Sequence, residues 1–475
     1  MKESSTTTMF DTNGHFRIQN PVKSLIISIC LVLLFSSTGY STIRYVKSGN
    51  PTPLYPYTSW ATASDSIQKV VDMCESGDTI LIGTGVYREQ VLSEHQGRDL
   101  AIIGIDVDSC IVDLSGFDDN GSCVGFKIGH NIIIQNITLK TSNRVTNHIG
   151  VLLASNNSSE ISIQLLNNRF LGRFLESITT FISRGVIKNN LFYDARTGLQ
   201  IHMGTNGSSI VVVDNIFFKN GFGFYGTSGL LINNLFLNFR SSAIEYPQLF
   251  SSKITLNNNL CFTSDEYAQA LYLATGEIKN NIIKVKASAI TPKFPPNTIN
   301  FVNNNIDSCG TIFDLSNSGV ISGNISYNNF YGNGIISNDI SKLNPDTLIY
   351  TSFDPMYEGT DSSNYRLQMY SPLIDAGDPT ILDVDGTRSD IGRYGGPYGQ
   401  RYDYLDLAPK KPRFTLVTSP PVPSQGDAHG TLLKGEGRME IHWRGGTEAD
   451  FNSFSLHRGR DPYFIPGDLN RIYSG

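Results

Sequence analysis

The sequence predicts an all-β chain wound as a parallel solenoid of about 10 coils, with a short N-terminal capping helix before it and an incomplete β-sandwich after it. Three observations predict this. An Asn-marked string returns about every 24 residues between residues 130 and 335. Apolar residues come in short runs broken by Asn and Gly, not at the i, i+3, i+4 spacing of a helix. The composition is also unusual: 17% of residues are charged, against roughly 25% in ordinary soluble domains, and 44 of 475 are Gly.

At the N-terminus, Lys23 precedes an uncharged apolar run from Leu25 to Phe35, followed by small residues from Ser36 to Ser41. That order is a secretory signal peptide, placed at residues 1–41. Eleven helical residues rise about 16 Å, short of the roughly 30 Å bilayer core. The chain is therefore expected to be secreted or at the cell surface, touching membrane only through this segment or an anchor beyond Gly475. Without Cys30 the cysteines are Cys74, Cys110, Cys123, Cys261 and Cys309. An odd, sparse set is no disulfide framework, although Cys110 and Cys123 are near enough in sequence to bridge if they are not simply buried. No CxxC or Cys/His cluster suggests zinc.

Ile67, Val70, Val71 and Cys74 fall on one face of a short helix, with Ser64 or Asp65 as its N-cap. The strings Asp78–Gly83, Gly85–Glu89 and Leu100–Gly104 then form the earliest coils. The repeat follows, read at Asn136-Ile137, Asn167-Asn168, Asn189-Asn190, Asp214-Asn215, Asn233-Asn234, Asn258-Asn259, Asn280-Asn281, Asn304-Asn305 and Asn328-Asn329. Asn at one corner of each coil tolerates the left-handed conformation, and stacked amides can hydrogen-bond along the column. Coils stack about 4.8 Å apart, so a charge repeated in every coil would face its own kind, which explains the low charge.

The segment from Gly77 to Glu89, followed by the Asn-marked coils, resembles the right-handed parallel β-helix proteins of the pectin-lyase-like superfamily over residues 44–400. Ser371–Gly377, Asp383–Gly386 and Asp390–Gly392 resemble the closing segment of bacterial surface β-helix proteins described as choice-of-anchor Q, a resemblance that implies export. Residues 401–423 carry five prolines between Leu407 and Pro423 and read as a linker. Residues 424–475, with alternating Met439–Trp443 and with Phe451, Phe454 and Leu456, resemble the first strands of a fibronectin type III module cut short.

A net charge of -6 with no basic stripe excludes nucleic acid as an expected partner. Enzyme signatures of the superfamily fit poorly. Gly85–Glu89 matches the Gly-x-Tyr-x-Glu opening of pectin methylesterases without the carboxylate motifs expected downstream. Asp118-Asp119 with Gly129-His130 is similar to polygalacturonases but lacks their flanking strings. Placing the coils on a common register, with aliphatics inward, turns Gln200, His202, Tyr225, Glu245, Tyr272 and Asp314 to the outer face. Arg173, Arg196, Lys219 and Arg240 recur at the preceding turn as an expected basic column. Together they suit an extended acidic polysaccharide, although the same pattern describes a solvated sheet with basic turns. Asp375, Asp378, Asp383, Asp385 and Asp390 crowd near two glycines, a composition that fits calcium as well as plain turns.

Three functions follow as expectations: an exported scaffold or adhesin that binds polysaccharide, a calcium-assisted polysaccharide lyase or a hydrolase acting on acidic glycans, and a copper-handling protein. The first accounts for the appended module and the missing catalytic motifs. The last is weakest, because seven Met and eight His show no clustering.

Overall fold

In the computed structural model the described residues are 41–405, apart from segments 94–96, 118–120, 122, 145–146, 154–160, 182–183, 203–208, 227, 246–253, 274, 293–296 and 360–363, together with five later strands. The expected signal segment at residues 1–41, all but Ser41, and most of the Pro-rich linker lie outside the described residues.

Each coil of the solenoid contributes three short strands. One representative coil runs Arg184–Lys188, Leu191–Tyr193 and Thr197–Ile201, and the next runs Ser209–Val213, Ile216–Phe218 and Phe222–Gly226. Every strand pairs in parallel with its equivalent one coil along, as in Leu191↔Ile216 and Leu199↔Phe224. The third strands form an 11-stranded sheet. The first two sheets join because Ile325–Tyr331 runs through the corner and pairs with both Asn297–Val302 and Asn305–Asp307.

The Asn corner holds two columns, not one. Asn136, Asn167, Asn189, Asp214, Asn233, Asn258, Asn280 and Asn303 have φ between 54° and 59° and make the left-handed bend. From Asn167 onward the residue after each bend forms a buried amide ladder through Asn168, Asn190, Asn215, Asn234, Asn259, Asn281 and Asn304, and Asn328, after the bend at Tyr327 (φ 54°), ends it. In that ladder each amide donates to the next one's Oδ1, as in Asn190 to Asn215 at 3.0 Å, and to a strand carbonyl, as in Asn190 to Leu165 at 2.8 Å. The bend and the ladder thus belong to adjacent residues, and Asn136, Asn305 and Asn329 fall out of the ladder's register.

Inside the coil, Phe170, Phe192, Phe217 and Phe236 stack at 5.1, 4.6 and 4.7 Å between centroids. Their rings fill space opposite a small-residue column in the third sheet, Gly150, Ser177, Gly198, Gly223 and Ala243. A Cβ on Gly223 would lie 2.4 Å from Phe236 Cδ1 and 2.6 Å from the Ala243 carbonyl oxygen, so glycine is required there. All five described cysteines are free and buried, so Cys110 and Cys123 fill core space and do not bridge.

The N-terminal helix is Ile67–Val71, shorter than its apolar spacing suggested, and its N-cap is Ser66, not Ser64 or Asp65. Its first turn is satisfied from outside: Glu89 accepts from Ser66 Oγ at 2.6 Å, Ile67 N at 2.8 Å and Gln68 N at 3.0 Å. Tyr87 Oη donates to the Gly83 carbonyl at 2.8 Å. The Gly85–Glu89 string therefore builds the first coils.

Residues 353–359 and 364–405 fold back along the outside of the second sheet. Tyr357, Tyr365, Leu367, Leu373 and Ile391 form a second apolar cluster with the outward Leu237, Leu260 and Ile282. The bend column docks the same segment: Asn233 Nδ2 donates to the Tyr398 carbonyl at 3.2 Å, Asn258 Nδ2 to Arg393 at 2.7 Å and Asn280 Nδ2 to Asp390 at 2.9 Å. Beyond it, Arg413–Val417, His429–Thr431 and Glu440–Arg444 make an antiparallel sheet, and Ser455–His457 pairs with Arg471–Ser474.

Candidate functional site

Outward positions of the third sheet form one continuous row. Pairing places Thr179, Gln200, Tyr225, Glu245, Tyr272 and Thr291 side by side in successive coils. The row exists because their neighbours Ile178, Leu199, Phe224, Ile244, Leu271 and Ile290 are held inside the coil. Gln200, Tyr225, Glu245 and Tyr272 thus occupy the face that alternation gave them, all half-buried. Thr291 belongs to the same row but has no aromatic or charge to draw attention to it.

His202 follows its strand and is also half-buried. Its ring stacks on Phe181 one coil before, with centroids 4.2 Å apart and planes within 5°. Gln200 Nε2 lies 2.8 Å from His202 Nε2. Burial pushes the imidazole below its usual range, with Glu176 pulling weakly the other way, so the ring is neutral at neutral pH. The amide can then donate to Nε2, which puts the imidazole proton on Nδ1. Glu176 itself accepts from Thr179 Oγ1.

Asp314, one coil beyond Thr291, faces outward too, but its Oδ1 accepts from Ser316 Oγ and Asn338 Nδ2, both at 2.7 Å. Burial raises its carboxyl, and those hydrogen bonds outweigh burial and hold it below the ordinary range. Asp314 is a turn residue first.

The four cations do not make one column. Lys219 is itself a left-handed residue (φ 59°), in line with Asp194 (φ 62°), Asn238 (φ 53°) and Gly172. Arg173 lies one residue past that bend, and Arg196 and Arg240 two residues past it. Near-equal sequence spacing concealed three different positions, because the bends themselves are unevenly spaced. Asp194 was missed altogether: it takes Arg173 Nε at 3.3 Å and Arg240 at 2.6 Å, gathering two of the four cations. Lys219 Nζ lies 5.5 Å from the Phe218 ring centroid and 5.8 Å from that of Tyr193. What remains is a basic edge, partly neutralised, between the second and third sheets. Phe181 and Tyr267, at 46% and 86% exposure, add aromatic surface that strand alternation does not reveal, because neither lies inside a strand.

The aspartates of the expected calcium set have these partners in the fold. Asp378 Oδ1 accepts from Thr380 N at 2.8 Å and Asp385 Oδ1 from Thr387 Oγ1 at 2.8 Å, so these two close their own turns. Asp390 accepts from Asp375 N and from Tyr404 Oη, both at 2.9 Å, and Asp383 from Asp390 N at 3.0 Å. Among the described residues no group of three or more His, Cys, Asp or Glu is placed to hold a metal ion. The crowding of aspartates reflects backbone donors in a strand-free segment that need acceptors.

No family model matches the chain, and no curated protein sequence matches it. Several solved structures are similar. One is pectate lyase Pel9A, 15% identical, over 75% of this chain and 97% of that one, with a TM-score of 0.45. Another is the GH136 lacto-N-biosidase from Eubacterium ramulus, 10% identical, over 66% of this chain and 67% of that one, with a TM-score of 0.43. The PL6 family alginate lyase AlyGC is 12% identical, over 69% of this chain and 55% of its own, with a TM-score of 0.43. Likenesses of this degree assign no activity.

Proposed function

We propose that the outer face of the third sheet binds an extended acidic polysaccharide, and that the protein is an exported β-solenoid acting as a surface scaffold or adhesin. One observation carries the reading: Tyr225, Glu245 and Tyr272 stand in register in three successive coils, with Gln200 and the Phe181–His202 stack continuing the row. The rings of Tyr225 and Tyr272, two coils apart, give a long polymer repeated stacking platforms. Carboxyl and amide groups between them address hydroxyls, and Arg196 and Lys219 on the edge favour an anionic chain. Export, a pectin-lyase-like ancestry with a choice-of-anchor Q-like closing segment, and a fibronectin-like C-terminal module belong to the same proposal. They rest on residues 25–41, on 77–89 with the Asn-marked coils, on 371–392 and on 424–475.

The alternative is a polysaccharide lyase or hydrolase on the same face. The observation on its side is His202, whose neutral ring has the protonation state that a base requires. Affinity electrophoresis of the full chain through pectate, alginate and a neutral glucan tests both readings. Retardation by the acidic polymers, at least tenfold weaker for Tyr225→Ala/Tyr272→Ala and for Arg196→Ala/Lys219→Ala, is expected. Equal retardation of those variants would sink the face as a site. Ultraviolet-absorbing unsaturated product, or new reducing ends lost in His202→Ala, would replace the scaffold with the enzyme.

A further inference from the structure

The closing segment encloses a second feature, away from the third sheet. A cavity of about 330 Å³ opens between the loop carrying Asp383–Asp390 and the run from Gln400 to Tyr404. That volume lies at the small end of the roughly 300–1,000 Å³ seen for small-ligand pockets, enough for one ring-sized molecule and no polymer.

Its walls are rigid. Tyr402 packs edge-on between Tyr394 and Tyr404, with centroids 5.1 and 5.0 Å away. The Tyr402 hydroxyl accepts from Leu367 N at 2.8 Å, and the Tyr404 hydroxyl donates to Asp390 at 2.9 Å. These rings cannot swing in to fill the space. Asp383 and Asp390 are spent on backbone and tyrosine partners, as described above. At the mouth, Gln400, Arg401 and Asp403 are exposed. Arg401 can only donate, Asp403 only accept, and Gln400 can do both.

An aromatic wall facing a rim of mixed donors and acceptors suits a ligand with an apolar face and polar groups that both donate and accept, which is the chemistry of a hydroxylated ring. Formal charge then narrows the class. The exposed carboxylates of Asp385 and Asp403 already outnumber Arg401, and the buried Asp383 and Asp390 behind them, which burial holds partly protonated, bring no positive charge, so an anionic ring is disfavoured. We propose that this cavity binds a single neutral sugar ring. The site is separate from the sheet face and opposite to it in charge preference. It does not rest on the polysaccharide reading and stands or falls alone.

Saturation-transfer NMR on the full chain tests it, with methyl glycosides of glucose, galactose and mannose as probes and sodium galacturonate as the anionic counterpart. Transfer to at least one methyl glycoside is expected, with galacturonate at least fivefold weaker. Gln400→Ala/Arg401→Ala changes only exposed side chains and should weaken that binding at least tenfold. Val384→Phe, filling the cavity from a residue 55% exposed at its rim, should do the same. Tyr225→Ala/Tyr272→Ala should leave it unchanged. No transfer to any of the three glycosides, equal transfer to galacturonate in the Tyr225→Ala/Tyr272→Ala protein, or binding that survives both cavity variants would overturn the proposal.

Discussion

Replacing Asn259 with Ala removes one rung of the amide ladder from the middle of the stack. The side chain is 1% exposed and makes four hydrogen bonds. Its Nδ2 donates to the Leu231 carbonyl at 3.0 Å and to Asn281 Oδ1 at 3.0 Å. Its Oδ1 accepts from Asn234 N at 2.9 Å and from Asn234 Nδ2 at 3.0 Å. Alanine leaves two Asn234 N–H groups without that acceptor in a site closed to water, each costing about 1–3 kcal/mol. The vacated amide volume adds about 1 kcal/mol to this, for a loss of about 3–7 kcal/mol. Asn189, in the neighbouring bend column, has φ 55° and is exposed. Asn189→Gly keeps the bend and should stay within about 0.5 kcal/mol of the parent. Urea unfolding of the full chain, followed by far-ultraviolet circular dichroism, compares the two. A loss under about 1 kcal/mol for Asn259→Ala, or an equal loss for Asn189→Gly, would refute the division of labour between the columns.

Three more outcomes can be measured. Burial, helped by the charge of Asp390, lifts Asp383 to about 7, and burial lifts Asp390 to about 6, both above the ordinary 3.8. The folded segment thus keeps protons that the unfolded chain has already released. The stability these groups contribute is fully present below about pH 4 and is lost as pH rises through 6 to 7. The melting midpoint should therefore fall between about pH 5 and 8, more steeply than in Asp383→Asn/Asp390→Asn, and parallel profiles would contradict this. Glu89→Ala strips three hydrogen bonds from the start of the N-terminal helix and should cost about 1–3 kcal/mol. A melt unchanged by that substitution would return the Gly85–Glu89 string to the search for chemistry. Burial raises the thiols of Cys74 and Cys309 to about 12 and that of Cys123 to about 11. Ellman's reagent should modify none of the five solenoid cysteines until urea unfolds the chain; prompt reaction of the native protein would count against this burial.

The third sheet was legible because its alternation is simple. Leu199, Phe224, Ile244 and Leu271 must point inward, so Gln200, Tyr225, Glu245 and Tyr272 must point out. The coil repeat was legible through its asparagines, but their two roles were not, since adjacent Asn residues look alike in a string and differ only in φ. Spacing also misled at the basic turn. Turn lengths vary from coil to coil, so counting from Arg173 to Arg240 does not preserve position, whereas counting from each bend does. Asp194 was invisible for a related reason: Arg240 reaches it from two coils away. The aspartate cluster has the composition of a calcium loop, but the backbone donors that claim its oxygens become apparent only once the segment has folded against the Asn column.

That docking also carries a consequence for the order in which the protein is made. Asn233 and Tyr398 are hydrogen-bonded across 165 residues of chain, and Asn258 and Arg393 across 135. At roughly 5–20 residues per second, the coils holding Leu237, Leu260 and Ile282 are synthesised several seconds or more before the residues that cover them. During that interval Leu237, Leu260 and Ile282 lack the apolar partners that cover them in the folded protein. A helper acting on this protein during synthesis or transport would find its target there, on the apolar flank that the closing segment has yet to cover.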